Sequence, residues 1–360
     1  MLDFHFEKRD YQDNAVKQAL DYFDSGEESV LIESPVGSGK TIMGLLVIQE
    51  LQKRYPDLRV NWVASRKHIL MQMDLVNKAF FHCRVTPVSV FNASPPPADM
   101  IVLDEAHHEA TQSCLTMYER TGNKWTLGLS ATPLRTDKMR LSFRQNIRTC
   151  TIQTLINRGV LSQYHSYKVP YWNAEICAKI FCQSPEKWGK TLVYFNTLAE
   201  CRNFAVAVAN TGIACEVVTG SSNKDKQLAR FCSGDVQIIA NVSVLSEGFD
   251  LPELQSVFLR DANRLPTIQM MGRGLRRSAG KHFCNIVQSE QSKFQSEKIA
   301  IPQESFRYSK DVWLSCSAKT AAIENALKRS MELLDSRTPI ILPNYFAATP
   351  GKLLVSLRRR

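Results

Sequence analysis

The run Ser34-Pro35-Val36-Gly37-Ser38-Gly39-Lys40-Thr41 sets two glycines, a lysine and a hydroxyl side chain between an apolar stretch and a helical one. Glycines in that setting let backbone N–H groups wrap a phosphate chain, and the helix N-terminus adds a favourable field for anions. Lys40 would neutralise β and γ phosphates, and Thr41 would offer its hydroxyl to Mg2+. The general pattern Gly-x-x-x-x-Gly-Lys-Thr fails at its first position, which is Ser34. A strand-to-helix turn without a ligand would use the same glycines, so the loop has to be weighed with other groups. Met100-Ile-Val-Leu-Asp104-Glu105-Ala106-His107 ends an apolar strand in two adjacent carboxylates, the edge of a parallel sheet where ligand chemistry usually falls. Asp104 would hold Mg2+ through water, and Glu105 would orient and deprotonate an attacking water. Standing alone, the pair would suit a helix cap equally well. Phosphoryl transfer also needs positive charge from outside the loop, and Gln269-Met-Met-Gly272-Arg273-Gly-Leu-Arg276 offers two arginines three residues apart, expected on one face of a helix. A merely solvated basic helix would not account for Gln269 and Gly272 at those spacings.

These groups have to be held by regular elements. Short apolar strands alternate with helical stretches, the pattern of a parallel sheet covered by helices. Strands are expected at Ser29 to Glu33, Arg59 to Ala64, Met100 to Asp104 and Trp125 to Ser130. A helix is expected over Thr41 to Lys53, with Ile42, Leu45, Leu46 and Gln49 on one stripe. The alternation pauses, then restarts with strands at Leu192 to Phe195, Cys215 to Val218, Val236 to Ala240 and Ser256 to Leu259, and helices near Leu198 to Asn210 and Asn223 to Cys232. The fold class is therefore α/β, with two tandem parallel-sheet domains of ordinary size at residues 1–158 and 159–290. Residues 291–360 form a basic extension, expected to be short and mostly helical, with an amphipathic helix over Ala318 to Leu334. Pro95 to Pro97 reads as a stiff loop before a strand.

With 360 residues and 22% charged side chains, the chain can bury real cores without staples. No apolar run approaches the roughly 20 residues that span a bilayer, so no membrane partner is expected. The N-terminus lacks a basic-then-apolar signal region, which predicts an intracellular protein, cytoplasmic or nucleoid-associated and not secreted. Ten scattered cysteines form no Cys-x-x-Cys and read as reduced thiols. The net charge of +10 is unevenly spread: Arg135 to Arg158 carries six basic residues against Asp137 alone, and residues 291–360 carry twelve against six. Both segments are candidates for holding a polyanion.

In this order, these segments resemble superfamily 2 helicases and translocases, which use the Pro-x-Gly-x-Gly-Lys-Thr form of the loop. Within them the likeness is to the branch containing restriction-enzyme motor subunits and phage helicases, and it covers roughly residues 6–287. It implies two RecA-like domains that bind ATP and Mg2+ in their cleft. Arg9-Asp-Tyr-Gln12 is similar to the adenine-reading element, with Gln12 on the base edge. Trp62-Val-Ala-Ser-Arg66 through Gln72 is similar to a motif that touches the nucleic-acid backbone, and Ser130-Ala-Thr132 to the element coupling hydrolysis to strand movement, with His107 beside it. Asn196, Thr219 and Gly220 correspond to strand-gripping turns, Ser243 to a motif that contacts both ribose and strand, and Gly248 and Asp250 to a ribose or metal-water contact. Arg273 and Arg276 become arginine fingers and Gln269 a γ-phosphate sensor. Met270 stands where relatives often place arginine, and Gln288 where they often place an acidic residue. The likeness implies an ATP-dependent DNA helicase or duplex translocase, with a nuclease or a replication or repair protein as a possible partner. An RNA helicase, or an ATP switch that recruits a partner without unwinding, remains open at this level.

Overall fold

A computed structural model describes residues 9–108, 112–133, 140–242, 245, 251, 253–278 and 280–316. The first part of the chain runs α1 (Asp10–Asp24), β1 (Ser29–Glu33), α2 (Lys40–Arg54), β2 (Val60–Ala64), α3 (Lys67–Val76), β3 (Val85–Ser89), β4 (Met100–Asp104), α4 (Gln112–Thr121), β5 (Trp125–Ser130), β6 (Gln145–Arg148) and α5 (Ile152–Asn157). Its six strands make one sheet in the order β3-β2-β4-β5-β1-β6, every pair parallel. The second part runs β7 (Gln163–Val169), α6 (Ala174–Gln183), α7 (Pro185–Trp188), β8 (Thr191–Tyr194), α8 (Leu198–Ala209), β9 (Cys215–Val218), α9 (Lys224–Ser233), β10 (Ile238–Asn241), β11 (Ser256–Leu259), α10 (Arg264–Gly274), β12 (Phe283–Ser289) and β13 (Glu304–Ser309). Those strands belong to a second sheet, where they run in the order β13-β7-β12-β11-β8-β10-β9, each of these pairs parallel. Both sheets lie in one compact unit, Met1–Trp313. β14 (Val312–Ser315) crosses into a second unit that begins at Leu314, of which only residues 314–316 are described.

The first sheet is buried on both faces, and its strands show the period of two that this requires. Val30, Ile32, Trp62, Met100, Val102, Leu127 and Leu129 join α1 and α2 in one core. Leu31, Val63, Ile101 and Leu103 point the other way, toward Cys114 and Met117 of α4. The four strands expected in this part are present. β3 and β6 were not expected, because Val-Thr-Pro-Val-Ser and Gln-Asn-Ile-Arg lack a continuous apolar run; both are edge strands, where proline and polar residues are tolerated. α1 ends against the same core through Ala15, Ala19 and Phe23.

The pause between the two arrays is filled by β6, α5 and β7. Of the basic segment, residues 134–139 lie outside the described residues. Arg144, Arg148 and Arg158 pair with Glu28, Glu33 and Asp10, so these arginines neutralise acidic groups of the first sheet's own layer. Past Ser289 the chain stays in the second sheet: β13 pairs with β7 and stacks Phe306 on Tyr167 at 4.8 Å between ring centroids. The helix expected over Ala318 to Leu334 lies outside the described residues. Pro96 sits in a loop before β4, its carbonyl accepting from Asn61 Nδ2 at 2.8 Å.

Candidate nucleotide site

The loop between β1 and α2 takes its shape from two glycines. Gly37 has φ +81° and Gly39 φ +86°, the left-handed region that glycine enters without a steric cost. Space is short as well: a Cβ on Gly37 would lie 2.7 Å from Leu161 Cδ2, and one on Gly39 would lie 2.5 Å from Gln12 Nε2. Ser34, the departure from the general pattern, has a structural use. Its hydroxyl donates to Ser38 Oγ at 2.6 Å and lies 2.7 Å from Thr149 Oγ1, while Ser38 Oγ donates to Pro35 O. The loop is thereby braced against Thr149, the residue that follows β6. Lys40 begins α2, with its ammonium 3.5 Å from Ser34 O.

β4 delivers the carboxylates. Asp104 is buried and accepts from Trp62 Nε1 at 3.3 Å and from the Glu105 backbone N–H at 3.0 Å. Trp62 reaches it because α2 has Gly44 where the ring crosses; a Cβ there would lie 2.7 Å from the indole. Burial, with the Glu105 charge next to it, pushes the Asp104 carboxyl above its ordinary range, and Lys40 opposes this. Glu105 has φ +53°, an uncommon backbone conformation for a side chain with a Cβ and one that collects at functional sites. His107 is buried with Nδ1 3.4 Å from Glu105 Oε2.

The second sheet contributes α10. Gln269 and Arg273 are buried in this helix, but the helix ends at Gly274, with Leu275 as its C-cap. Arg276 therefore does not share a helix face with Arg273, contrary to the spacing argument. Its backbone instead bridges to Leu161, and its carbonyl accepts from Lys281 Nζ at 2.8 Å. Gly274 ends the helix closely packed against Cys284 and Val257, and the chain leaves toward the cavity.

One cavity of about 450 Å³ brings most of these groups together: Arg9, Gly37, Gly39, Lys40, Thr41, Asp104, Glu105, Gln269, Arg273 and Arg276. Five basic side chains, counting Arg277, face two carboxylates there. A cradle that a Cβ would fill, ringed by cations, fits the phosphates of a nucleotide. The hydroxyl of Thr41 and the carboxylate of Asp104 are the hard oxygen ligands that Mg2+ takes alongside substrate phosphates. Ile69, Gln72, Val160, Leu161 and Arg277 also line the cavity. Of these, Ile69 and Gln72 lay in a quoted motif, and nothing in the local sequence marks Val160 or Leu161. Pro35 faces a different cavity, with Arg148 and Arg264, and Ser38 is buried within the loop. Gln12 is almost fully buried behind the loop, donating to Ser38 O at 2.9 Å and accepting from the Arg9 N–H at 3.2 Å.

The remaining motif residues sit at the carboxyl ends of strands. Arg66 is the N-cap of α3, after β2. Ser130 ends β5 next to Glu33, its carbonyl accepts from Ser34 N at 2.9 Å, and its hydroxyl accepts from Thr132 N. Asn196 follows β8 and accepts from Arg260 at 3.1 Å. Thr219 follows β9 in a turn closed through Ser222, with Gly220 exposed beside it. Ser243, Gly248 and Asp250 lie outside the described residues.

Fold and cavity define a two-lobed α/β protein with a phosphate-type cradle, one lobe holding the glycine loop and the other Gln269, Arg273 and Arg276. Comparison with known proteins agrees. Residues 5–92 match the family described as Type III restriction enzyme, res subunit, and residues 172–278 match the helicase conserved C-terminal domain. A 51.5 kDa protein of a Lactococcus phage is 26% identical over 62% of this chain and 57% of its own length. IRC3 of Saccharomyces cerevisiae, a candidate ATP-dependent helicase, is 21% identical over 78% of this chain and 51% of its own. The chain thus spans little more than half the length of these relatives. The DNA-bound ATP-dependent Type ISP restriction-modification enzyme LlaBIII superposes with a TM-score of 0.60 at 16% identity, covering 82% of this chain and 28% of that one, a likeness of fold. The chain thus carries two helicase-type domains, residues 5–92 similar to the restriction-enzyme res subunit and residues 172–278 to the helicase C-terminal domain, and domains of this kind use ATP. No helix among the described residues is long and apolar enough to cross a membrane.

Proposed function

We propose that the chain is an ATP-dependent DNA helicase or double-stranded DNA translocase. The observation that carries this is the single cavity in which loop residues and carboxylates of one lobe meet Gln269, Arg273 and Arg276 of the other. Lys40 and the loop N–H groups bind the phosphates, Glu105 orients the attacking water and takes its proton, and Arg273 and Arg276 stabilise charge on the transferred phosphoryl group. Thr41 and Asp104 would hold Mg2+, which would supply electrophilic charge on the phosphate oxygens. Because the cavity needs both lobes, hydrolysis is linked to their relative motion, which is how a motor converts ATP into movement. Arg66, Ser130, Thr132, Asn196, Thr219, Gly220 and, outside the described residues, Ser243 would follow the track from strand ends in both lobes.

DNA is favoured over RNA because two of the matching solved structures are restriction-modification enzymes, one titled as bound to DNA and another as in complex with a DNA substrate mimic. The domain limits proposed are 1–158 and, because β13 stays paired with β7 in the second sheet, 159–313 in place of the expected 159–290. The test is ATP hydrolysis measured side by side with single-stranded, duplex and forked DNA and with RNA. Stimulation by a DNA form supports the reading; stimulation by RNA alone replaces it with an RNA helicase.

A further inference from the structure

Tyr11 belongs neither to the phosphate-loop pattern nor to the cavity wall, yet it holds the loop. Its buried hydroxyl donates to Ser38 O at 2.9 Å, and the Gln12 amide donates to the same oxygen. In a trans peptide the C=O and N–H of one unit point in opposite directions, and no cis peptide occurs among the described residues. Two donors that hold Ser38 O toward α1 therefore turn the Gly39 N–H away from α1, into the cradle. Gly39, at φ +86°, can hold that orientation, and the Gln12 amide already fills the space a Cβ would need.

We propose that Tyr11 is a positioning residue for the phosphate loop, setting the Ser38–Gly39 peptide so that the Gly39 N–H faces a polyphosphate. The inference rests on the phosphate-site reading above. What fixes the hydroxyl lies outside the loop. The Tyr11 ring is buried in the same cluster as Leu155 of α5, Leu161 and Leu275, around the connection between the lobes and the end of α10. The Arg158 guanidinium lies 6.0 Å over the ring while pairing with Asp10, and Arg9 Nη1 donates to Tyr11 Oη at 3.2 Å. Burial raises the phenol pKa, so the group stays protonated and able to donate at neutral pH. The direction of a loop N–H thus depends on how the connection packs, a link that Gln12, on the loop side of α1, does not supply.

Tyr11→Phe keeps the ring and removes only the donor. In the full chain, the inhibition constant of inorganic pyrophosphate and the KM for ATP are measured, with the thermal midpoint alongside. Loss of one of two donors predicts that both weaken by the same factor, about three- to tenfold. Unchanged values for both overturn the proposal. Weaker ATP with unchanged pyrophosphate also overturns it, because the residue would then act on the base. A lower thermal midpoint with unchanged constants at a temperature below it overturns it in favour of a packing role. Lys40→Ala separates this from the site itself: if that variant leaves pyrophosphate inhibition intact, the phosphate-site reading fails, whereas loss in Lys40→Ala with wild-type behaviour in Tyr11→Phe defeats the Tyr11 proposal alone.

Discussion

Ser34 stands where the general loop pattern has glycine, and its hydroxyl ties Ser38 and Thr149 together. Ser34→Gly would restore the pattern yet remove the hydroxyl that ties Ser38 to Thr149. We expect it to lower the stability of the chain by about 1–2 kcal/mol in urea unfolding. Lys40→Ala and Glu105→Gln should each cut polynucleotide-stimulated ATP hydrolysis at least about a hundredfold, the scale of losing one preorganised charge-stabilising group, with an unfolding midpoint close to wild type. Wild-type turnover in either would remove these residues from the site. The types and order of the loop, Asp104-Glu105 and the arginine residues could be read directly, because phosphate chemistry demands them at short spacing. Thr149 could not be read as a partner of Ser34, since no local pattern joins residues so far apart. The side chain of Gln12, expected at a base edge, is held behind the loop by the fold of α1 against it.

At the level of elements, α2, β2 and β4 work as a relay: Gly44 admits the Trp62 ring, and Trp62 reaches Asp104. In an ordinary helix Gly→Ala stabilises by about 1 kcal/mol. At residue 44 the added methyl meets the indole at 2.7 Å, and overpacking at about 1–3 kcal/mol wins. Gly44→Ala should therefore lower the unfolding midpoint and, by shifting Trp62, weaken Mg2+ dependence of ATP hydrolysis. α10 has a second dependence. Lys281 donates to the carbonyls of Gly274 and Arg276, and burial lowers its pKa. Its folded pKa lies below its unfolded value, so between the two the unfolded chain binds more protons, and raising pH through that window adds stability. Wild type should gain on Lys281→Met as pH climbs toward the usual lysine range, measured as the difference in urea midpoints. The helix was legible from its spacing, but its end was not. The helix ends at Gly274, packed against Cys284 and Val257, two residues before Arg276.

For the whole molecule, the lobes meet where Val36 of the loop faces Gly272 of α10, a Cβ on which would lie 2.9 Å from Val36 Cβ. Gly272→Val should wedge the lobes apart and cut stimulated turnover about tenfold or more, while each sheet keeps its core; unchanged turnover would mean that closure does not use this contact. A truncation meant to test the basic tail has to respect the second sheet. Cutting near Ser292 would remove β13 and bare the β7 edge, so unfolding, not loss of charge, would dominate. A cut after Cys316 leaves that sheet complete, and it should flatten the salt dependence of DNA binding if the tail charge touches phosphates. Sequence alone determined the architecture and picked out the candidate chemistry: phosphate loop, paired carboxylates, arginines and two parallel sheets follow from short motifs and from strand and helix periods that need no distant partner. Only the tertiary structure decided that Tyr11 reaches Ser38, that Ser34 and Thr149 meet, that the arginines of residues 144–158 are taken up by acidic neighbours, and that the chain past Ser289 extends a sheet. Each of these depends on which distant surfaces the fold brings within hydrogen-bond or ion-pair distance, and a local pattern carries no information about that.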